Sequence, residues 1–210
     1  MTRQTMLLLA LVVLTSVAAT GCGYNTLNAK QQNVRKSWSN VESQLQRRAD
    51  LIQNLIETAK MAGVQEQEVF NHIADARSRL LNATAAQPQG AGGDKTPEQK
   101  QAVIDANNSF GGTIGRLLVL NEAYPQLRSN ENFLKAQDEL VGTENRIATA
   151  RNDYNNAVQD YNTSRNSFPT IIGAKIYGFK EEPYFKADPA AAQVPKIDAN
   201  SLRNNQNTAR

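Results

Sequence analysis

An apolar residue recurs at alternating intervals of four and three along residues 34–62. The stripe consists of Val34, Trp38, Val41, Leu45, Arg48, Ile52, Leu55, Ala59 and Ala62, with Arg48 its one polar member. A spacing that averages about 3.5 residues is typical of a helix that packs lengthwise on another helix. No proline interrupts it between Cys22 and Gln87. The pattern predicts a long first helix over residues 24–62, ended by a Gly63 cap.

A second stripe with the same spacing follows in the C-terminal half of the chain. Its members are Phe133, Gln137, Leu140, Glu144, Ile147, Arg151, Tyr154, Val158, Tyr161, Arg165 and Phe168. Ser129 and Asn130 suit the N-terminal cap of such a helix, and Pro169 would stop it. We therefore expect a second long helix, as long as the first.

Two shorter apolar segments lie between the long ones, at residues 64–86 and 97–124. The second opens with Thr96 and Pro97, a capping residue followed by a proline at the first helical position. The glycine-rich residues 87–95 form the loop between these segments. Helices joined by short connections favour an all-α fold, an antiparallel up-and-down four-helix bundle with two long outer helices.

The two long helices are expected to lie side by side, with residue 62 opposite residue 131 and residue 25 opposite residue 168. This register places Arg48 beside Glu144, each in an otherwise largely apolar stripe. We hypothesise that the two form a partly buried pair that fixes the helix register. The alternative is that both side chains simply extend to water.

The N-terminus has the layout of a secretory signal peptide over residues 1–21. Arg3 precedes an apolar run, Met6–Leu14, and small residues continue to Gly21. The run is shorter than the roughly 20 residues that span a bilayer. We therefore predict an export signal that is removed.

Residues Ala19-Thr20-Gly21-Cys22 resemble the bacterial lipobox, which implies that Cys22 is acylated, with palmitate among its lipids, and becomes the first mature residue. Cys22 is the only cysteine, so lipidation would account for an unpaired thiol in an exported protein; an incidental cysteine near a cleavage site is the alternative. The predicted location is the bacterial cell envelope, lipid-anchored on the non-cytoplasmic side of a membrane. Gly23 is not an acidic retention residue, which leaves the outer membrane open in a Gram-negative cell.

The anchored domain is expected to span residues 22–185 and to include a short amphipathic segment after Pro169. Ile171, Ile172, Lys175, Ile176 and Phe179 share one helical face there. We predict that this face folds back on the two long helices, with the lipid headgroup layer as the alternative. Residues 186–210 lose the apolar period and predict a disordered tail.

The residues that carry chemistry are sparse, and the sequence predicts no catalytic, cofactor or metal site. His72 is the only histidine, so the Glu-x-x-His pairs of di-iron bundles are absent. The glycine-rich residues 111–115 lie in a helical pattern without the preceding strand that a phosphate loop needs. The net charge of +3 comes from interspersed charges, which argues against a nucleic-acid partner.

Several stretches resemble the LemA family, and the resemblance covers residues 24–185. They are Tyr24–Leu27, Trp38–Val41, Gln44–Leu55, Ala76–Ser78, Tyr124–Pro125, Glu144–Arg151, Tyr154–Asn155 and Ser167–Pro169. The resemblance implies a helical, membrane-associated protein without established enzymatic activity. Two features depart from the family: Gln53 stands where many members have proline, and Cys22 replaces an uncleaved N-terminal membrane helix.

The sequence therefore predicts a non-enzymatic helical scaffold or protein-interaction module. It would be held to the membrane by its lipid and would bind unidentified envelope proteins at the turns around Gly63 and Tyr124-Pro125. One alternative is an accessory factor to an envelope hydrolase or a weak ligand-binding bundle. Another is a binder of anionic lipid or cell-wall polymer. The oligomeric state stays open.

Overall fold

The structure, a computed structural model, describes residues 3–90 and 93–186, with side chains from Gly23 onward except those of residues 116–122. Within those residues the fold is all-helical, with six helices and no strand. The helices are α1 (Arg3–Met61), α2 (Gln67–Ala85), α3 (Pro97–Ala123), α4 (Pro125–Arg128), α5 (Glu131–Asn166) and α6 (Thr170–Ile176).

The first helix is longer than the stripe predicted, because it continues without a break to Arg3. The expected start at residue 24 is therefore wrong. The run of leucine and alanine before it has high helix propensity, and Gly21 and Gly23 alone do not interrupt the helix.

The other end of α1 agrees with the prediction. Gly63 adopts a φ of 84°, the left-handed region in which glycine carries no side-chain penalty. The Val64 amide donates to the Ala59 carbonyl at 3.1 Å, and the Gly63 amide donates to the Lys60 carbonyl at 3.0 Å. These two bonds form a Schellman cap that satisfies the last carbonyls of the helix.

Capping residues also begin α3 and α5 where the sequence predicted them. The Gln99 amide donates to Thr96 Oγ1, while Gln99 Oε1 accepts from the Thr96 amide, which is a capping box. Asn130 Oδ1 accepts from the Phe133 amide at 3.1 Å. The short helix α4 was not predicted as a separate element, whereas α6 lies in the amphipathic segment predicted after Pro169.

The long helices α1 and α5 lie side by side and run in opposite directions. Residues further along α1 contact residues earlier in α5. The contacting pairs are Lys30 with Asp160, Trp38 with Tyr154, and Arg48 with Glu144. The α1 stripe from Val34 to Ala59 is buried along its whole length. On the other stripe the apolar members from Phe133 to Tyr161 are buried, the polar members are half-buried, and Phe168 is exposed.

The shorter helices α2 and α3 pack against each other and contribute to the same hydrophobic core. Their buried members include Phe70, Ile73, Leu80, Val103, Ile104 and Phe110. Burial of these side chains supplies the main driving force for assembly of the core.

The chain turns at Pro169 into α6, which contacts both α1 and α5. Residues 179–186, named here the C-terminal strap, then lie on α5 without regular secondary structure. The predicted disordered tail lies outside the described residues, except for Lys186 at its start.

Candidate functional site: the buried charges and the anchor end

The side chain of Arg48 lies where α1 meets α3 and α5. It is almost completely buried. Its Nη1 donates to Asn107 Oδ1 at 2.9 Å, and its guanidinium lies 5.4 Å from the centre of the Phe110 ring. Burial lowers the pKa of Arg48, and the nearby Glu144 carboxylate opposes that effect. Arg48 thus connects three helices through polar and cation–π contacts.

The structure brings Arg48 and Glu144 together. Arg48 Nε lies 2.7 Å from Glu144 Oε1, with the arginine side chain 6% exposed and the glutamate side chain 42% exposed. Neither atom has hydrogen-bonding geometry, so the contact is an ion pair. Its role in fixing the register stays a hypothesis. Asn107, which satisfies the same guanidinium from α3, is a partner that the sequence analysis did not anticipate.

A second buried charge, Lys100, lies in α3 and is 0% exposed. Its Nζ lies 2.9 Å from Glu182 Oε2 and 3.3 Å from Asp94 Oδ2. Arg35 on α1 reaches the same Asp94 oxygen at 3.2 Å. The cluster therefore joins α1, the loop before α3, α3 itself and the C-terminal strap.

Burial sets the electrostatics of this cluster. It raises the pKa of Glu182 above the usual glutamate value, while Lys100 opposes the rise. Burial likewise raises the pKa of Tyr154, and raises the pKa of Tyr161 to about 12. Both phenols therefore stay protonated at neutral pH and act as hydrogen-bond donors.

The strap is held by a series of side chains from α5. Asn162 Nδ2 donates to the Glu182 carbonyl at 2.9 Å, and Asn162 Oδ1 accepts from the Glu182 amide at 3.0 Å. Asn155 makes the same pair of bonds with the backbone of Phe185.

Three further α5 side chains each donate to one strap carbonyl. Arg165 donates to the Phe179 carbonyl, Tyr161 donates to the Lys180 carbonyl, and Tyr154 donates to the Pro183 carbonyl. The contacts move down α5 as the strap advances, so the strap runs antiparallel to the helix. The α5 side chains therefore satisfy the backbone polar groups of the strap, as a neighbouring strand would do in a sheet.

Cys22 lies within α1. Its side chain is not among those that the structure describes, so its lipidation stays a prediction. The next residue, Gly23, lies against α6: a Cβ built on it would be 3.6 Å from Thr170 Cγ2. Tyr24 packs on Tyr177, with 5.0 Å between ring centroids. Among the residues whose side chains the structure describes, no helix is long and apolar enough to cross a bilayer.

The apolar face predicted for the segment after Pro169 packs only in part. Ala174 is the buried residue of α6, whereas Ile172 and Ile176 are exposed. The predicted docking of this segment on the two long helices is observed, with Ala174 buried in α6 and Phe179, a member of the predicted face, packed against the core. Ala174 lets the backbone of α6 approach closely, which the larger isoleucines would prevent.

The sequence pattern of the LemA family matches residues 37–198 of the chain. The chain belongs to the LemA family. It is 30% identical over 197 residues to Magnetosome protein MamQ 2 and to Magnetosome protein MamQ 1 of Paramagnetospirillum magneticum, covering 88% of this chain and 72% of each relative. It is 29% identical over 179 residues to Magnetosome protein MamQ of Magnetospirillum gryphiswaldense, covering 80% of this chain and 66% of that relative.

The Lys100 cluster of this LemA-family chain was missed by the sequence analysis, although the sequence contains a signal for it. Lys100 and Asn107 share the helical stripe of Val103, Phe110 and Ile114. A charged residue in an apolar stripe is the same signal that identified Arg48. The partner of Lys100, Glu182, follows in a segment without any period, so no spacing rule connects them.

No group of three or more metal-ligating side chains occurs in the stretches where side chains are described. His72 is exposed, and its Nε2 lies 3.7 Å from Glu68 Oε1. Gly111 lies within α3 beside Arg48, with 3.3 Å between a built Cβ and Arg48 Nη2. Its small size therefore makes room for the guanidinium.

Two concave surfaces accompany these contacts, and both are lined by polar groups. A cavity of about 200 Å³ is bordered by Arg35, Asp94, Lys95 and Glu182. A groove of about 740 Å³ runs between α1 and α5 and is lined by Lys30, Asn33, Lys36, Ser37, Asn40, Asp153, Asn156, Ala157 and Asp160. Neither is the deep apolar pocket typical of small-molecule sites.

Proposed function

We propose that this LemA-family protein is a lipid-anchored, non-enzymatic scaffold of the bacterial envelope. In this proposal residues 1–21 are removed, Cys22 carries the lipid, and the helices form an up-and-down four-helix bundle that presents a binding surface to other envelope proteins. Family membership and similarity to magnetosome proteins support membrane association.

The observation that carries the proposal is the continuity of α1. The helix that contains Cys22 also contains the buried stripe, ending at Met61. At a rise of about 1.5 Å per residue, the part after Cys22 is about 60 Å long. A lipid on Cys22 would therefore be coupled to the packed body without a flexible linker, as a spacer requires.

The charges support a structural role. Arg48, Lys100 and Glu182 are buried and face charged or polar partners from neighbouring elements. Catalytic acids and bases need access to a substrate. Here the charged groups connect elements of the fold.

The end of the molecule away from α6 is the proposed partner surface. The Tyr124 hydroxyl donates to Glu66 Oε1 at 2.8 Å, which ties the turn before α4 to the turn before α2. Met61 lies beside these turns and is 80% exposed. An exposed methionine suits an adaptable protein contact.

The test combines lipid labelling with site-specific crosslinking in cells. Wild type and Cys22→Ala are grown with an alkyne analogue of palmitate, and a photoactivatable residue replaces Met61 or, as the control, the exposed Val141. We expect the lipid label only on the wild type. Position 61 should crosslink to envelope proteins in the otherwise wild-type chain, and these crosslinks should be absent in Cys22→Ala. Unlabelled wild type would contradict the anchor. Equal crosslinking from positions 61 and 141 would contradict the distal surface.

A second candidate function is binding of cell-wall polymer or anionic lipid. The groove between α1 and α5 supports it, because Lys30, Lys36 and several amides line an open polar surface. The double variant Lys30→Glu/Lys36→Glu should then abolish salt-sensitive retention on cell-wall polymer or on anionic vesicles. If the protein were instead an accessory factor to an envelope hydrolase, its removal would change the activity of that hydrolase. Retention unchanged by the double variant would rule out the groove.

A further inference from the structure

The exposed side of α6 carries an apolar surface at the end of the molecule that holds Cys22. It consists of Phe168, Ile172, Ile176 and Tyr177, with Tyr24 of α1 packed on Tyr177. Phe168 is 83% exposed and Ile176 is 69% exposed. Single exposed apolar residues are ordinary, whereas a group of neighbours indicates a contact surface.

The group is ordered by the geometry of the turn. Ile172 and Ile176 lie four residues apart within α6 and therefore share one helical face. Phe168 lies in the turn just before the helix, where the Ile171 amide donates to the Ser167 carbonyl at 2.9 Å. Since Ala174 fixes the opposite side to the core, the apolar side chains cannot turn inward.

The position of this surface identifies its occupant. Gly23 contacts Thr170 at the start of α6, so the surface lies at the level where α1 continues into Cys22 and the apolar run before it. A membrane anchor at either of those features puts the nearest lipid surface at this end of the molecule. Tyrosines and a neighbouring lysine, here Lys175, are typical of the layer between headgroups and acyl chains.

We propose that the α6 surface, Tyr24, Phe168, Ile172, Ile176 and Tyr177, inserts into the headgroup layer of the membrane that anchors the protein. This inference rests on the proposed membrane anchoring at this end. It gives the anchor a second contact, which fixes the orientation of the bundle and strengthens its attachment. The occupant is lipid, and a second copy or another protein is an outcome that the test distinguishes.

The test uses the full chain, reconstituted in vesicles of phosphatidylethanolamine and phosphatidylglycerol. An environment-sensitive fluorophore is attached at Ile176→Cys or Phe168→Cys and, as the matched control, at Met61→Cys at the far end. All three side chains are exposed, so these substitutions leave the core intact. Iodide quenches a probe in water, and brominated acyl chains quench one in lipid.

We expect the probes at positions 176 and 168 to be quenched by brominated lipid, and their quenching by iodide to be about fivefold weaker than at position 61, since headgroup-level residues are shielded from water. Iodide quenching equal to that at position 61 would overturn the inference. So would protection from both quenchers, because that result indicates a protein contact.

Anchoring is scored separately in the same samples. Flotation of the vesicles shows whether the chain is membrane-bound, and failure of the parent chain to take up fluorophore shows that Cys22 is blocked. A floating protein with water-exposed positions 168 and 176 refutes the α6 contact and leaves the anchor intact. A chain that neither floats nor shows lipid quenching refutes both.

Discussion

Two charged side chains, Arg48 and Lys100, occupy apolar stripes of their helices, and each faces a carboxylate from another element. Such pairs add little net stability, because desolvation of both charges offsets their attraction. Removing one partner is a different matter, since it leaves an uncompensated charge. The loss of stability on removing the cation should therefore differ between the two sites. Glu144 can turn to water, whereas Glu182 is 4% exposed and cannot.

Lys100→Met is expected to destabilise the protein by about 3–5 kcal/mol at pH 7, because Glu182 loses its main partner. Burial already raises the pKa of Glu182 above its usual 4.5, and without Lys100 the pKa rises further. A group with a raised folded-state pKa contributes stability below its unfolded-state pKa and loses it as the pH rises. The loss in Lys100→Met should thus shrink towards pH 4, as measured by chemical denaturation.

Glu182→Gln is the control for that prediction. Lys100 then keeps Asp94 at 3.3 Å, so the loss should be smaller than in Lys100→Met. It should also not shrink on acidification, because the raised pKa of Glu182 lets the wild type gain stability as the pH falls, whereas glutamine does not titrate. A Lys100→Met deficit that is equal at pH 4 and pH 7 would show that Glu182 does not hold the unpaired charge.

The coupling between Arg48 and Glu144 should be about 1 kcal/mol, since water screens the half-exposed glutamate. The measurement is a double-mutant cycle of Arg48→Met and Glu144→Gln, followed by chemical denaturation. Arg48→Met alone should cost more than Glu144→Gln, because it also leaves Asn107 Oδ1 without its donor. Additive single losses would mean that the pair does not fix the register.

Arg48 could be predicted from the sequence because its stripe is long, regular and faces a second stripe of the same period. Lys100 could not be paired in the same way. Its partners Asp94 and Glu182 lie in a loop and in the strap, where position is set by tertiary contacts. The sequence marks such a buried charge but not what neutralises it.

At the scale of elements, the helix ends follow local chemistry closely. Gly63 has φ 84°, and a Cβ there would meet no atom within 4 Å. Gly63→Ala is thus expected to cost about 1 kcal/mol through backbone strain alone. Gly112→Ala, inside α3 and equally open, should instead stabilise by about 0.5–1 kcal/mol. Thermal unfolding of both variants checks the opposite signs, and equal signs would contradict the role of Gly63 as the cap.

The strap provides a second test at this scale. Asn162→Ala removes both side-chain bonds to the backbone of Glu182, and a buried peptide group without partners costs about 1–3 kcal/mol. Hydrogen exchange at the Glu182 amide should become faster in this variant and stay unchanged in the exposed Asn156→Ala control. Protection that survives in Asn162→Ala would show that other contacts hold the strap.

The start of α3, the start of α5 and the end of α1 were predictable, because capping residues and glycine act within one turn. The start of α1 was not predictable, because an apolar, leucine-rich run fits both a separate export signal and the continuation of a helix. The inward side of α6 was predicted wrongly because the size of Ala174, and not hydrophobicity, decides which side approaches α1 and α5. The strap carries no periodic signal at all.

At the scale of the whole molecule, the antiparallel pair of α1 and α5 defines the long axis, with α6 at one end and the turn at Gly63 at the other. The family and the all-helical class followed from sequence patterns spread over most of the chain. The path of the strap did not follow, because it depends on five α5 side chains that meet only in the folded protein.

An anchored protein of this shape should stand away from the membrane. Energy transfer from a fluorophore to acceptors on the lipid headgroups is expected to decrease from Ile176→Cys to Val141→Cys to Met61→Cys. The reason is that α1 extends about 60 Å from Cys22 to Met61. Equal transfer from all three positions would indicate that the pair of long helices lies flat on the bilayer.

The strap also determines where additions to the chain can be made. Phe185 is bonded to Asn155, eleven residues before the end of α5 at Asn166, which is about 16 Å along the helix. A fluorescent protein or affinity tag joined after Lys186 would leave from the flank of the helical body. A fusion there would leave both ends of the α1–α5 pair uncovered, and a reporter on this protein is best placed at that position.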